Sequence, residues 1–497
     1  MRYQNPHGTS AHMFRNGSTD VARNRIALVG AFAFGAWVWI AFLSYGRPEL
    51  FGFQDWKRAL YYYTAVKAAL QQGALPLYYP AGLDGEWVNF YWAHPDTPLL
   101  PHLLLLRFME PGAFVVLTAL MYYTAGCLGV VAIARRFRFS LLPTLILAVL
   151  LLGNGYVAAH LSAGHRAWFA SFLLPWWCYY TWALADGRPI SGTGLKLGAL
   201  LAVILLQGAT HIAIWCWLVL AVIAASQPKA AVAIACAACW FVVLTAVRLV
   251  PTWTVFPLEV VTRFAWMGGY DWPTFVVALT EGRASLLELG GKVGMFPQEY
   301  DAFLGWPAVL FLVAFGLVAP FFVPGRARHV RLLFPLAMFI FALSGDAFML
   351  IRDTGFPLVG GIRTPTRMIL MPIVILSMQA AWSLAQVLER TTPALRPWIA
   401  AFSILVLSLT GAQLYSNLRA VSPSTPGVPE VTEPHLPTNA SGSGWGTMPI
   451  AQVTVDPVDT KRSLTLNGIY VQAIEIGSLI SAAGLLLAAG WSLRMRT

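Results

Sequence analysis

The stretch from Phe51 to His102 places Asp55, Asp84, Glu86, Asp96 and His94 among Trp56, Trp87, Tyr91 and Trp92. Carboxylates and an imidazole at this density suit proton transfer to or from a hydroxyl. Acids also accept hydrogen bonds from sugar hydroxyls, and aromatic faces beside them pack on sugar rings. Asp55 immediately precedes a predicted helix, Trp56–Gln72. Two readings stand for it: a base, or an N-cap whose oxygen binds the free N–H groups of the first turn. The readings are compatible, because a helix start anchors a carboxylate and favours its charged form. Asp84-Gly85-Glu86 has turn chemistry, so these acids are either partners of Asp55 or solvated surface. His94-Pro95 is a ligand or a turn in the same sense.

A second group is cationic. Arg363 and Arg367 are four positions apart and flank Pro365. They share a face if a helix has begun there; Pro365 leaves an extended start equally open. Arginine is the best bidentate partner for phosphate. The alternative is a pair of interfacial arginines reaching to lipid headgroups. No P-loop or dinucleotide-binding glycine motif opens a helix, so no nucleotide site is expected.

The elements that must hold these residues are membrane helices. Of the 497 residues, 58% are hydrophobic and 11% charged, against about 25% charged in soluble domains. Long uninterrupted apolar runs point to an all-α polytopic membrane protein rather than a barrel. The expected organisation is a cytoplasmic tail at 1–25 and a transmembrane core at 26–414. Outside loops are expected at 46–112, 251–305 and 344–367. An outside low-complexity segment follows at 415–473, and the last helix and cytoplasmic end at 474–497. About twelve transmembrane helices fit this pattern. The net charge of +11 concentrates in the short segments assigned inside, notably Arg135–Arg138, while the outside segments are slightly acidic. That is the positive-inside pattern, so the basic balance reports topology and not a nucleic-acid partner. The five cysteines lie in apolar runs and suggest neither a disulfide framework nor a zinc site.

Within the first loop, Ala59, Tyr63, Val66 and Leu70 recur at helical spacing, which predicts an amphipathic helix lying along the membrane surface. The third span is expected near Leu141–Tyr156, emerging outside at His160 to Arg166, a segment that includes His165. The run Leu197–Ser226 reads as two short helices meeting at Gln207–His211. Residues 450–470 carry an alternating IAQVTV and an Asn-Gly pair, which predicts a small hairpin.

Taken in order, these pieces resemble the GT-C superfamily of membrane glycosyltransferases, and its bacterial YfhO-like branch in particular. The resemblance rests on Asp55-Trp56 followed by a helix and Gly73-Ala74-Leu75-Pro76, and on Leu249-Val250-Pro251-Thr252 with Glu259 and Arg263. It also rests on Glu299-Tyr300-Asp301-Ala302-Phe303-Leu304-Gly305 and on Gly361-Ile362-Arg363-Thr364-Pro365-Thr366-Arg367. It covers roughly residues 25–390. Tyr78-Tyr79-Pro80 replaces the Trp-Asn-Pro common in that branch, and the trailing outside segment is shorter than usual.

The resemblance implies an inverting transferase that moves a hexosyl or pentosyl group from a polyprenyl-phosphate donor at the outer face of a bacterial inner membrane. Asp55, Glu86 and Asp84 would be catalytic. Arg363, Arg367 and Arg263 would bind the donor phosphate. Trp56, Trp87, Tyr91, Trp92, His94, Asp96 and His165 would contact substrate. The partners implied are the lipid-linked donor, membrane lipids and other membrane subunits. No protein metal motif is expected; a divalent cation, Mg or Mn, stays open as cofactor. The alternatives are a non-catalytic GT-C-like scaffold subunit and a lipid-linked sugar transporter. A transporter should carry polar residues in mid-span, and here they gather in loops.

Overall fold

The computed structural model describes residues 18–44, 55–75, 91–94, 97–187, 190, 192–255, 268–289, 297–322, 328–352, 364–421 and 457–494. All regular elements among these are helical, and the extended pairing is limited to an isolated bridge between Tyr270 and Gly345. The chain begins with α1, Ser18–Ser44, and α2, Asp55–Gln71. It continues through α3, Pro111–Phe137, α4, Leu141–Leu152, α5, Gly155–Ser162, and α6, Leu174–Ala185. Next come α7, Thr193–Leu206, α8, Thr210–Ser226, and α9, Pro228–Val255. Two short helices, α10, Trp272–Thr280, and α11, Arg283–Glu288, lead to α12, Trp306–Phe322, which contains a π-helical turn at Leu312–Val318. The rest comprises α13, Arg328–Leu343, α14, Phe348–Arg352, α15, Leu370–Arg390, α16, Arg396–Val421, and α17, Pro457–Arg494.

Seven helical segments among the described residues are long and apolar enough to cross a membrane, and four shorter apolar helices accompany them. The chain is thus an all-α protein with the helices of a multi-pass membrane protein. The core sits around α15, whose Leu370–Ala381 stretch is almost wholly buried against the π-helical turn, α4 and α13. By contrast α1, α16 and α17 present large apolar side chains outward, such as Phe34, Leu405 and Leu486. Such exposure suits hydrocarbon rather than water. The last helix, α17, lies along α9, with Gly477 against the backbone of Ala246 and Val247. A glycine there lets the two helices close to backbone contact.

Two expectations are met by the described residues. Ala59, Tyr63, Val66 and Leu70 of α2 are all buried, so the amphipathic face is the packed one. The Leu197–Ser226 run does break into α7 and α8. Buried Gln207 at the break accepts a hydrogen bond from the Tyr122 hydroxyl at 2.8 Å, and the Leu206 carbonyl accepts one from the Leu99 amide at 2.6 Å. A freed backbone group in an apolar bundle needs such a partner.

Two others need correction. The Ser463–Val471 part of the expected hairpin is helical, because α17 begins at Pro457 and runs on into the apolar segment. Helix continuation from a long apolar run overrides a two-residue turn signal; residues 450–456 lie outside the described residues. The third apolar segment does not end near Tyr156 but runs to Ser162, with His160 buried in it. The chain breaks at Gly153, Asn154 caps the next helix by accepting from the Tyr156 amide at 2.8 Å, and α5 continues buried to Ser162.

Candidate functional site

Asp55 opens α2, and its position is fixed by backbone rather than by side chain alone. Its amide donates to the Ala163 carbonyl at 3.2 Å, and Trp56, buried one residue on, donates its indole N–H to the Leu161 carbonyl at 2.8 Å. Gly164 makes this contact possible. It has φ +89°, and a Cβ built on it would lie 2.2 Å from the Trp56 amide nitrogen. A non-glycine residue would meet both the left-handed backbone penalty and the start of α2.

From this anchor a line of polar groups runs inward. The Asp55 carboxylate lies 3.2 Å from Nε2 of His165, with the acid side chain 55% exposed and the imidazole 15% exposed. Nδ1 of His165 faces Nδ1 of His160 at 2.7 Å. Two facing nitrogens at this distance share one proton, so one ring donates and the other accepts. The His160 ring is clamped flat on Trp168, centroids 4.0 Å apart at 7°, with Tyr156 edge-on at 4.6 Å. His160, His165 and Glu299 each bring one ligand atom to within 4.8 Å of the others.

Glu299 sits on a short 3-10 turn, Pro297–Glu299, and is 4% exposed. Arg367 grips it bidentately, Nε to Oε2 at 2.6 Å and Nη2 to Oε1 at 2.5 Å. Thr366 adds a hydroxyl hydrogen bond to the Glu299 carbonyl at 2.7 Å. Burial alone would raise the Glu299 pKa, but the Arg367 charge and its hydrogen bonds outweigh it and hold the carboxyl well below the usual range.

A second buried pair supports the first. Asp301 is fully buried; its Oδ1 accepts from the Phe303 amide at 3.2 Å, and Oδ2 lies 3.9 Å from Nε of Arg283. Burial pushes Asp301 up to about 6, with Arg283 opposing the rise. Arg283 also donates through Nη2 to the Ser162 hydroxyl at 2.7 Å and to the Ala159 carbonyl at 3.2 Å, which ties this pair to α5.

The remaining expected residues divide clearly. Tyr91 is buried and donates its hydroxyl to the Pro98 carbonyl at 2.9 Å, so it holds the loop together from inside. The His94 carbonyl accepts from buried Arg248, which also donates to the Thr97 hydroxyl and carbonyl, each at 2.7 Å. The backbone of His94 therefore belongs to a braced turn. Trp92 is half-buried, and its amide donates to the Tyr470 hydroxyl of α17 at 2.8 Å. Asp84, Glu86, Trp87, Asp96, Arg263 and Arg363 lie outside the described residues.

Three of the quoted sequence elements thus meet at one place: Asp55-Trp56, the Glu299–Gly305 segment and the Thr364–Arg367 segment. No protein-family model, curated protein or solved structure matches this chain. The site is accordingly read from its own geometry. Sequence reasoning passed over His160, which sits inside an apolar run, and over Arg283, Asp301 and Glu299 as site residues. The signal available for them was an excess of charge in short segments flanking apolar helices.

The arrangement can do two things chemically. Asp55 offers a reachable carboxylate whose orientation is set by His165. Arg367, Glu299, the two histidines and Asp55 form a polar wall of mixed sign with nitrogen and oxygen donors. The Mg or Mn expectation would need an oxygen-rich set; the acids at 84, 86 and 96 that would supply it lie outside the described residues, and the described cluster is nitrogen-rich instead.

Proposed function

We propose that the chain is a GT-C-like membrane glycosyltransferase that moves a sugar from a polyprenyl-phosphate donor to an acceptor hydroxyl, with Asp55 as the general base. The observation that carries this reading is the state of Asp55: anchored at a helix start, oriented by His165 at 3.2 Å, and still 55% exposed. Its exposure leaves it open to a substrate from outside the bundle. A base must be reached by the proton it takes, at about 2.6–3.2 Å in a productive complex. The acceptor hydroxyl loses its proton to Asp55 as its oxygen attacks the anomeric carbon, and the lipid phosphate leaves with the bonding pair. Arg367, expected on the donor phosphate, is paired bidentately with Glu299 in the resting chain, so it serves a departing phosphate only if it exchanges that partner.

In this reading the shorter apolar helices and the Arg166–Ala185 segment also cross, for twelve spans with both termini and Arg135–Arg138 cytoplasmic. A cysteine placed at Arg136 is then shielded from impermeant reagents in intact cells; labelling there from outside overturns the topology.

The test of function is transfer from a radiolabelled polyprenyl-phosphate sugar by purified protein. Asp55→Asn keeps shape and capping ability. The expected result is a stable protein with transfer reduced at least a hundredfold. A stable, fully active Asp55→Asn protein removes Asp55 as base. A chain with no transfer under any donor supports instead a scaffold subunit of a larger membrane complex.

A further inference from the structure

We infer that His160, His165 and Glu299 form a binding site for a divalent transition-metal ion, with zinc the best match. The inference does not depend on the glycosyltransferase reading, because it concerns what this cluster binds and not what the protein turns over.

Three observations support it, and a fourth sets a condition on it. First, the donor set is two imidazoles and a carboxylate, with ligand atoms within 4.8 Å of one another. Imidazole nitrogen selects zinc, copper, iron or nickel over magnesium, calcium and manganese, which prefer oxygen. Three protein ligands with a fourth position left open is the arrangement of sites that also take water or a substrate. Second, the two histidine Nδ1 atoms already point at each other at 2.7 Å. With zinc–nitrogen bonds of about 2.0–2.1 Å in tetrahedral geometry, two ligand nitrogens sit about 3.3 Å apart. The rings must part by only about 0.6 Å to reach that separation, and the ion then takes the place of the shared proton.

Third, one of the two histidines, His165, has the outer support that metal-binding histidines need, and the other is fixed by ring packing. A ligating histidine usually donates its other N–H to a carboxylate, which fixes the tautomer and raises ligand basicity. Asp55 does this for His165, Nε2 to Oδ2 at 3.2 Å. Trp168 and Tyr156 fix the His160 ring from its face and edge. Fourth, the His160 side chain is wholly buried and its Nε2 has no hydrogen-bond partner among the described residues. A buried imidazole with an orphan nitrogen costs free energy. Ligation through Nδ1, the atom that faces His165, fixes the tautomer but makes Nε2 the N–H, so the ion-bound site must also accommodate that donor.

Charge balance sets the character of the site. Glu299 and Asp55 bring two negative charges and Arg367 one positive charge, so a divalent ion leaves the cluster with one net positive charge. The Glu299 oxygens carry spare lone pairs beyond those used by Arg367, since a carboxylate offers about four. The fourth position then favours an anionic oxygen over a neutral one. The three ligands come from α5, from the turn after it and from the Pro297–Glu299 turn, so the ion would also join two halves of the chain that are distant in sequence.

The experiment uses the full chain, purified in detergent, stripped with a chelator and dialysed. Zinc is added alone and followed by calorimetry; cobalt(II) replaces it for a visible spectrum. The expected result is one zinc per chain, lost or weakened at least tenfold in His165→Ala. Cobalt should show d–d bands of a four- or five-coordinate nitrogen–oxygen site. Asp55→Asn, which leaves all three ligands in place, should weaken zinc about 10–100-fold. Its effect distinguishes this site from binding at His7 and His12 of the N-terminal tail, which neither substitution touches. Zinc bound with unchanged affinity in both variants, or no zinc bound to the unmodified chain, overturns the proposal. Should His165→Ala not fold, the Asp55→Asn affinity decides alone. Zinc binding with no transfer activity would sustain the metal site and remove the transferase reading; transfer without zinc binding would do the reverse.

Discussion

Arg367 holds both oxygens of Glu299, at 2.6 and 2.5 Å, across 68 residues of sequence. The pair joins the turn that precedes α12 to the start of α15, the helix at the centre of the core. Desolvation makes such pairs costly to form and costlier to break.

Glu299→Gln should therefore destabilise the protein by about 3–5 kcal/mol, because it leaves Arg367 with an uncompensated charge. The double variant Glu299→Gln, Arg367→Met should be less destabilised than the sum of the two single changes. Denaturation of the four proteins in matched detergent checks this. Additive losses would mean that the pair does not act as a unit.

Asp301 gives a pH signature with a defined sign. Its carboxyl titrates near 6 in the folded chain, raised from 3.8 by burial with Arg283 opposing. Between those values the folded state keeps a proton that the unfolded chain has lost. This group's contribution to stability therefore falls as pH rises from about 4 to about 6, and is flat above. Asp301→Asn removes the dependence while keeping an acceptor for the Phe303 amide. The melting temperature of the variant relative to the unmodified protein should be higher at pH 7 than at pH 5. An offset that does not change with pH removes Asp301 from this role. Glu299 titrates in the opposite sense: against burial, which raises it, Arg367 holds its pKa low, so its contribution is full above the ordinary carboxylate range and is lost progressively as pH falls through and below that range.

Gly164→Ala tests how Asp55 is placed. The substitution forces a Cβ onto the first amides of α2 and into a left-handed backbone. The strain alone costs about 1–2 kcal/mol, and the contact adds to it. The expected outcome is a less stable protein in which α2 has moved and the Asp55–His165 contact is lost, read as a drop in both melting temperature and transfer. An alanine variant with unchanged melting and unchanged transfer would show that α2 docks independently of this turn.

Much of the scaffold was legible because it follows from periodicity and composition. The buried stripe of α2 was visible as Ala59, Tyr63, Val66 and Leu70, and the break at Gln207 as polarity inside an apolar run. The site was only half legible. Asp55 and Arg367 stood out as charges beside apolar helices, but their partners could not be read, because His165 and Glu299 are chosen by packing and not by spacing. His160 was hidden for a related reason: one imidazole in an apolar helix looks like any core residue until a second ring faces it. The hairpin expectation failed differently, since its turn pair, Asn467-Gly468, lies within α17 and local turn chemistry yields to a long helix.

The Trp92 amide meets the Tyr470 hydroxyl across 378 residues. Synthesis reaches the loop carrying Trp92 well before the helix carrying Tyr470, so this bond waits for the whole stretch between them. Until α17 is made, the segment bearing Trp92 lacks this one hydrogen bond, which only α17 supplies. The order of synthesis is thereby written into the fold: Asp55 and Trp92 precede Tyr470, and the bond to Trp92 closes only when α17 packs against α9.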